Sequence, residues 1–424
     1  MEIELQPGSL KGSVNIPSSK SLCHRAIIAA GLAKGQSYLE NILISKDIEA
    51  SINGMVSLGT KIISRGDKLF IEGSGIIDLR KSEINCNESG STLRFLIPIA
   101  LLQEREITFT GKKKLKERPL GPYINIFEDK DISYNNKDGL PLTIKGPLQA
   151  GEYTLTGDVS SQFISGLLFA LPLLKKDSKI IITTELESKG YVNLTLDVLE
   201  KFSVNIQNNN YTEYIIPGNQ SYKPIDYRVE GDFSQAAFWL CAGVLNGEIE
   251  CRDLNLESFQ GDKVIIDILK SMGAVIKQGD NSVKTYKSKT KGIIIDASNC
   301  PDLVPILAVM GALSEGTTEI INAGRLRIKE SDRLKAITTE LNKLGAKIIE
   351  REESLFITGV ETLKGGMVES HNDHRIAMAL AIASIKCNNS VIINDSDCIK
   401  KSYPGFFEDF VELGGIIDEW IVGE

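Results

Sequence analysis

Stretches of almost entirely apolar residues recur six times along the chain, and each follows a short polar or glycine-rich segment. The six polar segments are residues 18–21, 89–92, 158–161, 231–234, 299–302 and 372–375. Their starts lie about 70 residues apart, so six units of this length account for the whole chain. An apolar run behind a polar capping segment is typical of a buried helix, and the pattern therefore predicts six internal repeats.

A second pattern recurs inside these units at a fixed internal spacing. Residues 58–63 with 69–73 match residues 344–349 with 355–359, and a fainter copy begins at Met272. Leucine and isoleucine stripe one face of the helix before the second copy, at Leu334, Ile337, Leu341 and Leu344. Gly345 follows this stripe directly and is the expected stop of the helix. Each unit is therefore predicted to read helix, strand, helix, strand, strand.

The repeats are predicted to fall into two domains. A chain of 424 residues is too long for one ordinary core. Its apolar residues become sparse near residues 216–220, between the third and fourth units. We therefore expect three units in each domain, with a boundary near Arg228. Pro98 and Pro172 lie deep inside two of the predicted helices and are expected to bend or end them.

Composition and charge exclude several classes of protein. Apolar residues at 42% and charged residues at 25% are typical of folded globular domains. A net charge of −8 argues against nucleic acid as the main partner, although it allows small anions to bind in a cleft. No apolar run approaches the roughly 18 residues of a membrane span, so we expect a cytoplasmic protein. The seven cysteines are scattered without a Cys-x-x-Cys motif, so a zinc site is not expected.

The predicted helix starts carry side chains that suit anions. A helix N-terminus offers unpaired N–H groups and the positive end of the helix dipole. The candidates at these starts are Lys20, Ser21, Arg25, Arg94, Ser160, Ser161, Gln162 and Arg375. Ser160 and Ser161 could equally be plain N-caps. Arg25 and Arg94 lie within otherwise apolar helices, so each requires either a buried salt bridge or an anionic ligand.

Further charged clusters lie at residues 325–333, 371–375 and 400–404. By composition alone the first would be a solvated, capped helix entry. A single histidine is usually structural, but His374 adjoins Asp373 and Arg375 at a helix start. The basic run at residues 112–119 is a surface feature by default.

The motifs and their order resemble the 5-enolpyruvylshikimate-3-phosphate synthase family over essentially the whole chain. They are residues 18–21 with Arg25, 87–94, 115–121, 160–163, 329–334, 372–375 and 401–404. The resemblance implies an α/β (α+β) fold, a two-domain inside-out α/β barrel with three βαβαββ units in each domain. Residues 19–228 would form an inserted domain, and residues 1–18 with 229–424 a discontinuous one that the N-terminal strand completes. The active site would lie in the cleft between them.

The same resemblance implies transfer of the enolpyruvyl (carboxyvinyl) group of phosphoenolpyruvate to the 5-hydroxyl of shikimate 3-phosphate. Phosphate would leave through a tetrahedral intermediate, on the shikimate pathway to chorismate and the aromatic amino acids. No metal and no organic cofactor are implied. The protein would be a monomer whose partners are its two small-molecule substrates.

The resemblance also assigns site residues by their positions in the motifs. Those for phosphoenolpyruvate are Lys20, Gly90, Arg118, Gln162, Arg333, Arg375 and Lys401. Those for shikimate 3-phosphate are Lys20, Ser21, Arg25, Ser160, Ser161, Gln162, Ser188, Tyr191, Asp302 and Lys329. The candidates for catalysis are Asp302, Glu330, Lys20 and His374, with the division between acid and base left open. Domain closure is expected to bring the cations of the two domains together.

Two alternatives stand beside this interpretation. The related UDP-N-acetylglucosamine enolpyruvyl transferase resembles a version with a cysteine in the loop near residues 111–118, and here that loop has none. A non-catalytic repeat scaffold, or a nucleic-acid-processing relative, is opposed by the net charge and by the arginines in apolar helices. Arg325 stands where an asparagine contact is common in the family, and Ser91 and Thr92 follow Gly90 where Thr and Ala are frequent. The response to glyphosate is therefore left open.

Overall fold

The chain enters an inserted unit near its N-terminal end and leaves it near its midpoint. The computed structural model describes residues 1–136 and 139–421. The inserted unit is Ser18–Val229, and a discontinuous unit consists of Met1–Pro17 with Glu230–Glu424. Each junction lies one residue from the boundary predicted above, which placed residues 19–228 in the inserted domain.

Two strands precede the inserted unit, β1 (Glu2–Leu5) and β2 (Leu10–Asn15). The elements of the inserted unit are, in chain order, α1 (Lys20–Leu32), β3 (Lys34–Glu40), α2 (Lys46–Ser57), β4 (Lys61–Arg65), β5 (Lys68–Ser74), β6 (Glu83–Asn85), α3 (Gly90–Ala100), β7 (Glu106–Thr110), α4 (Gly121–Asp129), β8 (Ser133–Asn136), β9 (Leu142–Lys145), β10 (Glu152–Leu155), α5 (Ser161–Ala170), β11 (Ser178–Ile182), α6 (Lys189–Lys201), β12 (Gln207–Asn209), β13 (Glu213–Ile216) and β14 (Asp226–Arg228). Short 3-10 helices lie at Lys113–Glu117 and Leu171–Leu173.

Each repeat of the inserted unit forms one four-stranded sheet. The strand orders are β6-β7-β9-β8, β10-β11-β13-β12 and β14-β3-β5-β4. In each sheet the first two strands are parallel and the third is antiparallel to the second. A parallel pair needs a long crossover, and α3 and α5 provide it in the first two sheets. The last strand of the unit, β14, completes the sheet of its first repeat.

The rest of the chain forms the discontinuous unit. Its elements are α7 (Phe233–Asn246), β15 (Gly247–Arg252), α8 (Ile265–Ser271), β16 (Val275–Gln278), β17 (Ser282–Tyr286), β18 (Ile294–Asp296), α9 (Val304–Ala312), β19 (Thr317–Ile321), α10 (Arg333–Lys343), β20 (Lys347–Glu350), β21 (Leu355–Thr358), β22 (Gly366–Glu369), α11 (His374–Ser384), β23 (Val391–Asn394), α12 (Phe406–Glu412) and β24 (Ile417–Ile421). Short 3-10 helices lie at Gly261–Val264, Pro301–Leu303, Gly324–Ile328 and Ser396–Lys401.

The two N-terminal strands are integral to this unit. β2 lies parallel to β15, from Leu10 opposite Gly247 to Asn15 opposite Arg252. β1 lies between β23 and β24 and is antiparallel to both. The three sheets of the unit therefore have the orders β16-β17-β15-β2, β18-β19-β21-β20 and β22-β23-β1-β24.

Each unit has its own hydrophobic core, built around its apolar helices. Every residue of α9 and of α11 is buried, as are nearly all residues of α1, α3, α5 and α7. Burying one Leu, Ile or Phe side chain contributes about 1.5–3 kcal/mol, so these helices contribute substantially to the stability of each unit. None of the helices in the described part of the chain has both the length and the apolar character needed to cross a membrane.

The predicted repeat order and the α/β fold class are confirmed. The helices begin where the polar segments placed them, with α9 preceded by a short 3-10 turn. α10 ends at Lys343, and Gly345 lies two residues beyond it at a φ of 97°, as expected of a helix stop. Pro98 lies inside α3, whereas Pro172 lies in the 3-10 turn that ends the helix begun by α5.

The glycine stop after α2 is predicted to be essential for stability. Gly59 has a φ of 108°, and an added Cβ would lie 2.6 Å from the carbonyl oxygen of Asp78. We expect Gly59→Ala to lower the free energy of unfolding by about 1–3 kcal/mol, measured by urea denaturation. Gly121→Ala is the matched control, because a Cβ there meets nothing within 4 Å. Equal stability of the two variants would contradict the prediction.

Candidate active site

Lys20 forms an ion pair across the starts of two helices of the inserted unit. It is the first residue of α1, and its Nζ lies 3.0 Å from Oδ2 of Asp47 in the first turn of α2. Both side chains are largely enclosed. The carboxylate fixes the direction of the Lys20 side chain. Asp47 was not among the predicted residues, because an acidic residue in a first turn is ordinary for any helix.

Arg25 is buried among uncharged partners. Its guanidinium donates to the hydroxyl of Thr195 at 2.8 Å and to the carbonyl oxygens of Ser21 at 2.7 Å and Tyr191 at 2.8 Å. It also lies 5.0 Å from the ring centroid of Phe95. Burial lowers the pKa of Arg25 to about 9. No ion pair to Arg25 exists within the described residues, so the anionic-ligand alternative is favoured over the buried salt bridge.

Gly90 makes room for two arginines and a glutamine at the start of α3. A Cβ at residue 90 would lie 2.7 Å from Nη1 of Arg118, so a larger residue would displace that guanidinium. Arg94 donates to Oε1 of Gln162 at 2.8 Å, and Gln162 donates to Oγ of Ser91 at 2.9 Å. The structure therefore brings the predicted residues Gly90, Arg118 and Gln162 together.

The basic run at residues 112–119 divides into two parts. Lys112, Lys113, Lys114 and Lys116 are exposed, as the default interpretation expected. Arg118 follows the 3-10 helix Lys113–Glu117 and is buried. Only the last cation of the run therefore belongs to the cluster around Gly90.

The predicted serines occupy the starts of two further helices. Ser160 is the N-cap of α5, and its Oγ accepts a hydrogen bond from the N–H of Gln162 at 3.3 Å. Ser161 is the first residue of α5 and is buried. Ser188 precedes α6 in the left-handed conformation, and its carbonyl accepts from the N–H of Tyr191 at 3.0 Å. Capping thus explains Ser160, while the Tyr191 carbonyl connects α6 to the guanidinium of Arg25.

A buried guanidinium organises the second cluster, in the discontinuous unit. Arg333 is 1% exposed and is the first residue of α10. Its guanidinium donates to Oδ2 of Asp373 at 2.8 Å, to Oδ1 of Asp302 at 2.8 Å and to Oε2 of Glu330 at 2.6 Å. Burial alone would lower the pKa of Arg333, but the three carboxylates raise it well above its ordinary value.

Asp302 is shared between two arginines. Its Oδ1 accepts from Arg333 and its Oδ2 accepts from Nη2 of Arg375 at 2.9 Å. Burial opposes ionisation of this carboxyl, but Arg375, Lys329 and Arg333 together hold its pKa well below the usual range. In this arrangement Asp302 is an ionised carboxylate and a weak base.

Lys329 offers an ammonium group that no neighbour holds. It directly follows the 3-10 helix Gly324–Ile328, and within the described residues its Nζ makes no hydrogen bond or ion pair. Burial, together with the nearby Arg325 and Arg333, lowers the pKa of Lys329 to about 8, against the opposing charges of Asp302 and Glu330. Such a group is suited to take up an anion, because the anion supplies the missing opposite charge.

Two carboxylates of this cluster were missed by the sequence analysis as site residues. Asp373 is fully buried, binds Arg333 through both oxygens, and caps α11 by accepting from the N–H of Arg375 at 3.0 Å. Asp262 is buried and accepts from Oγ of Ser234 at 2.5 Å. Burial and the nearby Asp302 raise the pKa of Asp262 to about 6, against the opposing Arg375. Both were missed because Asp373 has the sequence context of an ordinary helix cap and Asp262 lies in no recognisable motif.

The remaining predicted residues lie close to this cluster. Lys401 is buried and donates from Nζ to the carbonyl of Asn372 at 2.6 Å. His374, the first residue of α11, is enclosed, and its Nδ1 lies 3.9 Å from Oδ1 of Asp373. Arg325 donates from Nη2 to the carbonyl of Ser298 at 2.5 Å. A catalytic role of His374 stays a prediction, since the ring is packed inside the unit.

Six βαβαββ repeats in two units, with a cation-rich cluster at the helix starts of each unit, define a class of two-domain α/β protein. The model of the family EPSP synthase (3-phosphoshikimate 1-carboxyvinyltransferase) matches residues 5–410. The chain therefore belongs to this family, and the resemblance found in the motifs and the predicted transferase class are confirmed.

Curated relatives match over the whole chain. A 3-phosphoshikimate 1-carboxyvinyltransferase of Clostridium novyi is 58% identical and covers 100% of this chain and 99% of its own length. The enzyme of the same name from Clostridium acetobutylicum is 57% identical, with the same coverage. The alternative functions considered above are not favoured by these relatives.

Solved structures share the fold at low identity. An EPSP synthase from Acinetobacter baumannii aligns with a TM-score of 0.83 at 22% identity, covering 99% of this chain and 100% of that structure. The enolpyruvyl transferase NikO from Streptomyces tendae aligns with a TM-score of 0.81 at 18% identity, covering 98% of both chains. The two-domain α/β architecture is thus common to these enzymes.

The lowered pKa of Lys329 predicts a pH-dependent affinity for phosphate. Above about pH 8 the free ammonium loses its proton, while a bound dianion favours the charged form. We expect the Kd of the phosphate dianion, measured by calorimetry and corrected for the titration of phosphate itself, to rise about fourfold between pH 7 and 8.5. Lys329→Arg is the matched variant, because its guanidinium stays charged over this range. A wild-type Kd that changes no more than that of the variant would disprove the assignment.

Removing the charge of different carboxylates around Arg333 is predicted to lower the free energy of unfolding by different amounts. Asp373 is fully buried, so Asp373→Asn leaves the guanidinium without its main partner and should lower the free energy of unfolding by about 3–5 kcal/mol. Glu330 is 20% exposed, and water can replace it, so Glu330→Gln should cost about 1 kcal/mol or less. Chemical denaturation of both variants checks this order, and equal losses would refute it.

Proposed function

We propose that the chain transfers the carboxyvinyl group of phosphoenolpyruvate to the 5-hydroxyl of shikimate 3-phosphate and releases phosphate. The family match over residues 5–410 supports the reaction. The placement of the anions rests on one observation, the buried Arg25 whose described hydrogen-bond partners are all uncharged. A guanidinium in this state is suited to a phosphate or carboxylate that supplies the opposite charge.

Phosphoenolpyruvate carries a carboxylate and a phosphate on three carbons, so its site requires several cations. We assign to it Lys20, Gly90, Arg118 and Gln162 of the inserted unit and Arg333, Arg375 and Lys401 of the discontinuous unit. The planar, bidentate donors of arginine suit both anionic groups. Five cations match this charge.

Shikimate 3-phosphate binds mainly to the inserted unit in this proposal. Its contacts are Lys20, Ser21, Arg25, Ser160, Ser161, Gln162, Ser188 and Tyr191, joined by Asp302 and Lys329 of the discontinuous unit. The starts of α1 and α5 add backbone N–H groups and the positive ends of their dipoles. Lys329 is the added cation whose charge has no hydrogen-bonded partner within the described residues.

Proton transfer follows from an exchange of partners around Arg333. In the structure, the guanidinium groups of Arg333 and Arg375 are held by Asp302, and Glu330 also binds Arg333. When the anionic groups of phosphoenolpyruvate take these donors, a released carboxylate becomes a stronger base. It can then remove the proton of the attacking hydroxyl, while Lys20 delivers a proton to the methylene carbon.

The addition forms a tetrahedral intermediate, and loss of a proton from its new methyl group to a carboxylate of the site restores the double bond as the bond to phosphate breaks. Fixed cations stabilise the negative charge that develops on the departing phosphate, and removal of one such donor costs about 3–4 kcal/mol. The cytoplasmic location and the monomeric state remain predictions of the sequence.

The test is phosphate release from phosphoenolpyruvate, with shikimate 3-phosphate, with UDP-N-acetylglucosamine, or with no acceptor. We expect release only with shikimate 3-phosphate. Lys20→Met and Arg118→Ala should each lower turnover at least about 100-fold while the circular dichroism spectrum is unchanged. Lys116→Met is the control, because this exposed lysine belongs to the same loop as Arg118. Near-normal turnover in either site variant would remove that residue from the site, and release driven by another acceptor would reject the reaction.

A further inference from the structure

The segment that carries Asp373 has an unfavourable backbone conformation. It joins β22 to α11, and two consecutive residues that are not glycine, His371 and Asn372, have positive φ values of 52° and 53°. Such residues persist only where the surrounding structure holds them, at a cost on the order of 1 kcal/mol each. The contacts of this segment are therefore part of what positions Asp373.

A buried carboxylate outside the proposed site provides the main contact. Glu340 of α10 is 1% exposed, and its Oε2 accepts from the N–H of Glu369 at 3.0 Å. Its Oε1 lies 2.8 Å from Nε2 of His371. The pKa of Glu340 is lowered despite its burial, by hydrogen bonds from Lys343, Glu369 and His371. An ionised carboxylate can only accept, so Nε2 of His371 carries the hydrogen of this bond.

Arg333 and Glu340 lie seven residues apart on α10, which is two turns and therefore the same face. Arg333 binds Asp373, and Glu340 binds His371, so two contacts of opposite polarity join the helix to one short segment. A shift of the segment along the helix would move Asp373 toward Glu340, where like charges repel. The pair of contacts therefore fixes the register of the segment on α10.

We infer that His371 is a positioning residue, which acts through Glu340 to fix Asp373 and the cations that depend on it. This inference rests on the proposed function of those cations. Asp373 holds the guanidinium of Arg333 and the N–H of Arg375. The carbonyl of Asn372, directly after His371, accepts from Lys401. Three of the cations proposed for phosphoenolpyruvate are thus connected to the segment that His371 anchors.

The test compares two partners of the same carboxylate. His371→Asn keeps a side chain that tolerates positive φ but is too short to reach Glu340. Lys343→Met is the matched control, because Lys343 binds Glu340 at 2.8 Å, is 45% exposed and lies outside the segment. We expect His371→Asn to raise the KM for phosphoenolpyruvate about tenfold with a smaller change in kcat, and Lys343→Met to leave both near the wild-type values. His371→Gln, whose amide can donate to Glu340, should recover most of the loss.

Equal melting temperatures and equal KM values for His371→Asn and Lys343→Met would overturn the inference, as would a loss of stability in His371→Asn with an unchanged KM. If His371→Asn does not fold, the KM of His371→Gln for phosphoenolpyruvate is the deciding measurement. A KM as high as that of Arg375→Ala would count against a positioning role. Arg375→Ala distinguishes a failure of the proposed site from a failure of the role of His371. If it leaves the KM unchanged, the proposed site is wrong; if it raises the KM while His371→Asn does not, only the role of His371 is wrong.

Discussion

A guanidinium group that has lost nearly all contact with water determines the structure of the discontinuous unit around its candidate site. Arg333 can be buried only because three carboxylates surround it, and these come from different stretches of the chain. Asp302 precedes α9, Glu330 precedes α10, and Asp373 caps α11. The ionic cluster therefore fixes three helix starts relative to one another and presents their dipoles to the same region.

Arg25 of the inserted unit is buried in a different way. Arg25 has only uncharged hydrogen-bond partners and a phenylalanine ring within the described residues, so its charge is not compensated. An anion that binds to Arg25 meets a guanidinium that no carboxylate of the described residues holds. An anion that binds to Arg333 must first displace a carboxylate. The first arrangement suits tight binding of a stable substrate. In the proposed reaction the second arrangement suits chemistry, because the displaced carboxylate becomes available to accept a proton.

The fold could be predicted from the sequence because each repeat follows the same local physics. Apolar runs behind polar caps became the six buried helices, and Gly59 and Gly345 both stop helices at positive φ. Lys20 and Arg375 were candidates because they lie at helix starts, whereas Arg118, Arg333 and Lys401 became site residues only through the resemblance to the family. Asp47 and Asp373 were missed because an acidic residue at a helix start is indistinguishable from a cap until its partner is known. Glu340 and His371 lie 31 residues apart, and nothing local indicates that they meet.

The two N-terminal strands determine the order in which the protein can be assembled during synthesis. β2 pairs with β15, which is made after the whole inserted unit, and β1 pairs with β23 and β24 at the far end of the chain. The inserted unit contains its own sheets and core, so it can fold while the ribosome is still translating. The sheet that contains β1 must wait until β23 and β24 have left the ribosome, and β1 therefore finds its partners long after it has been made.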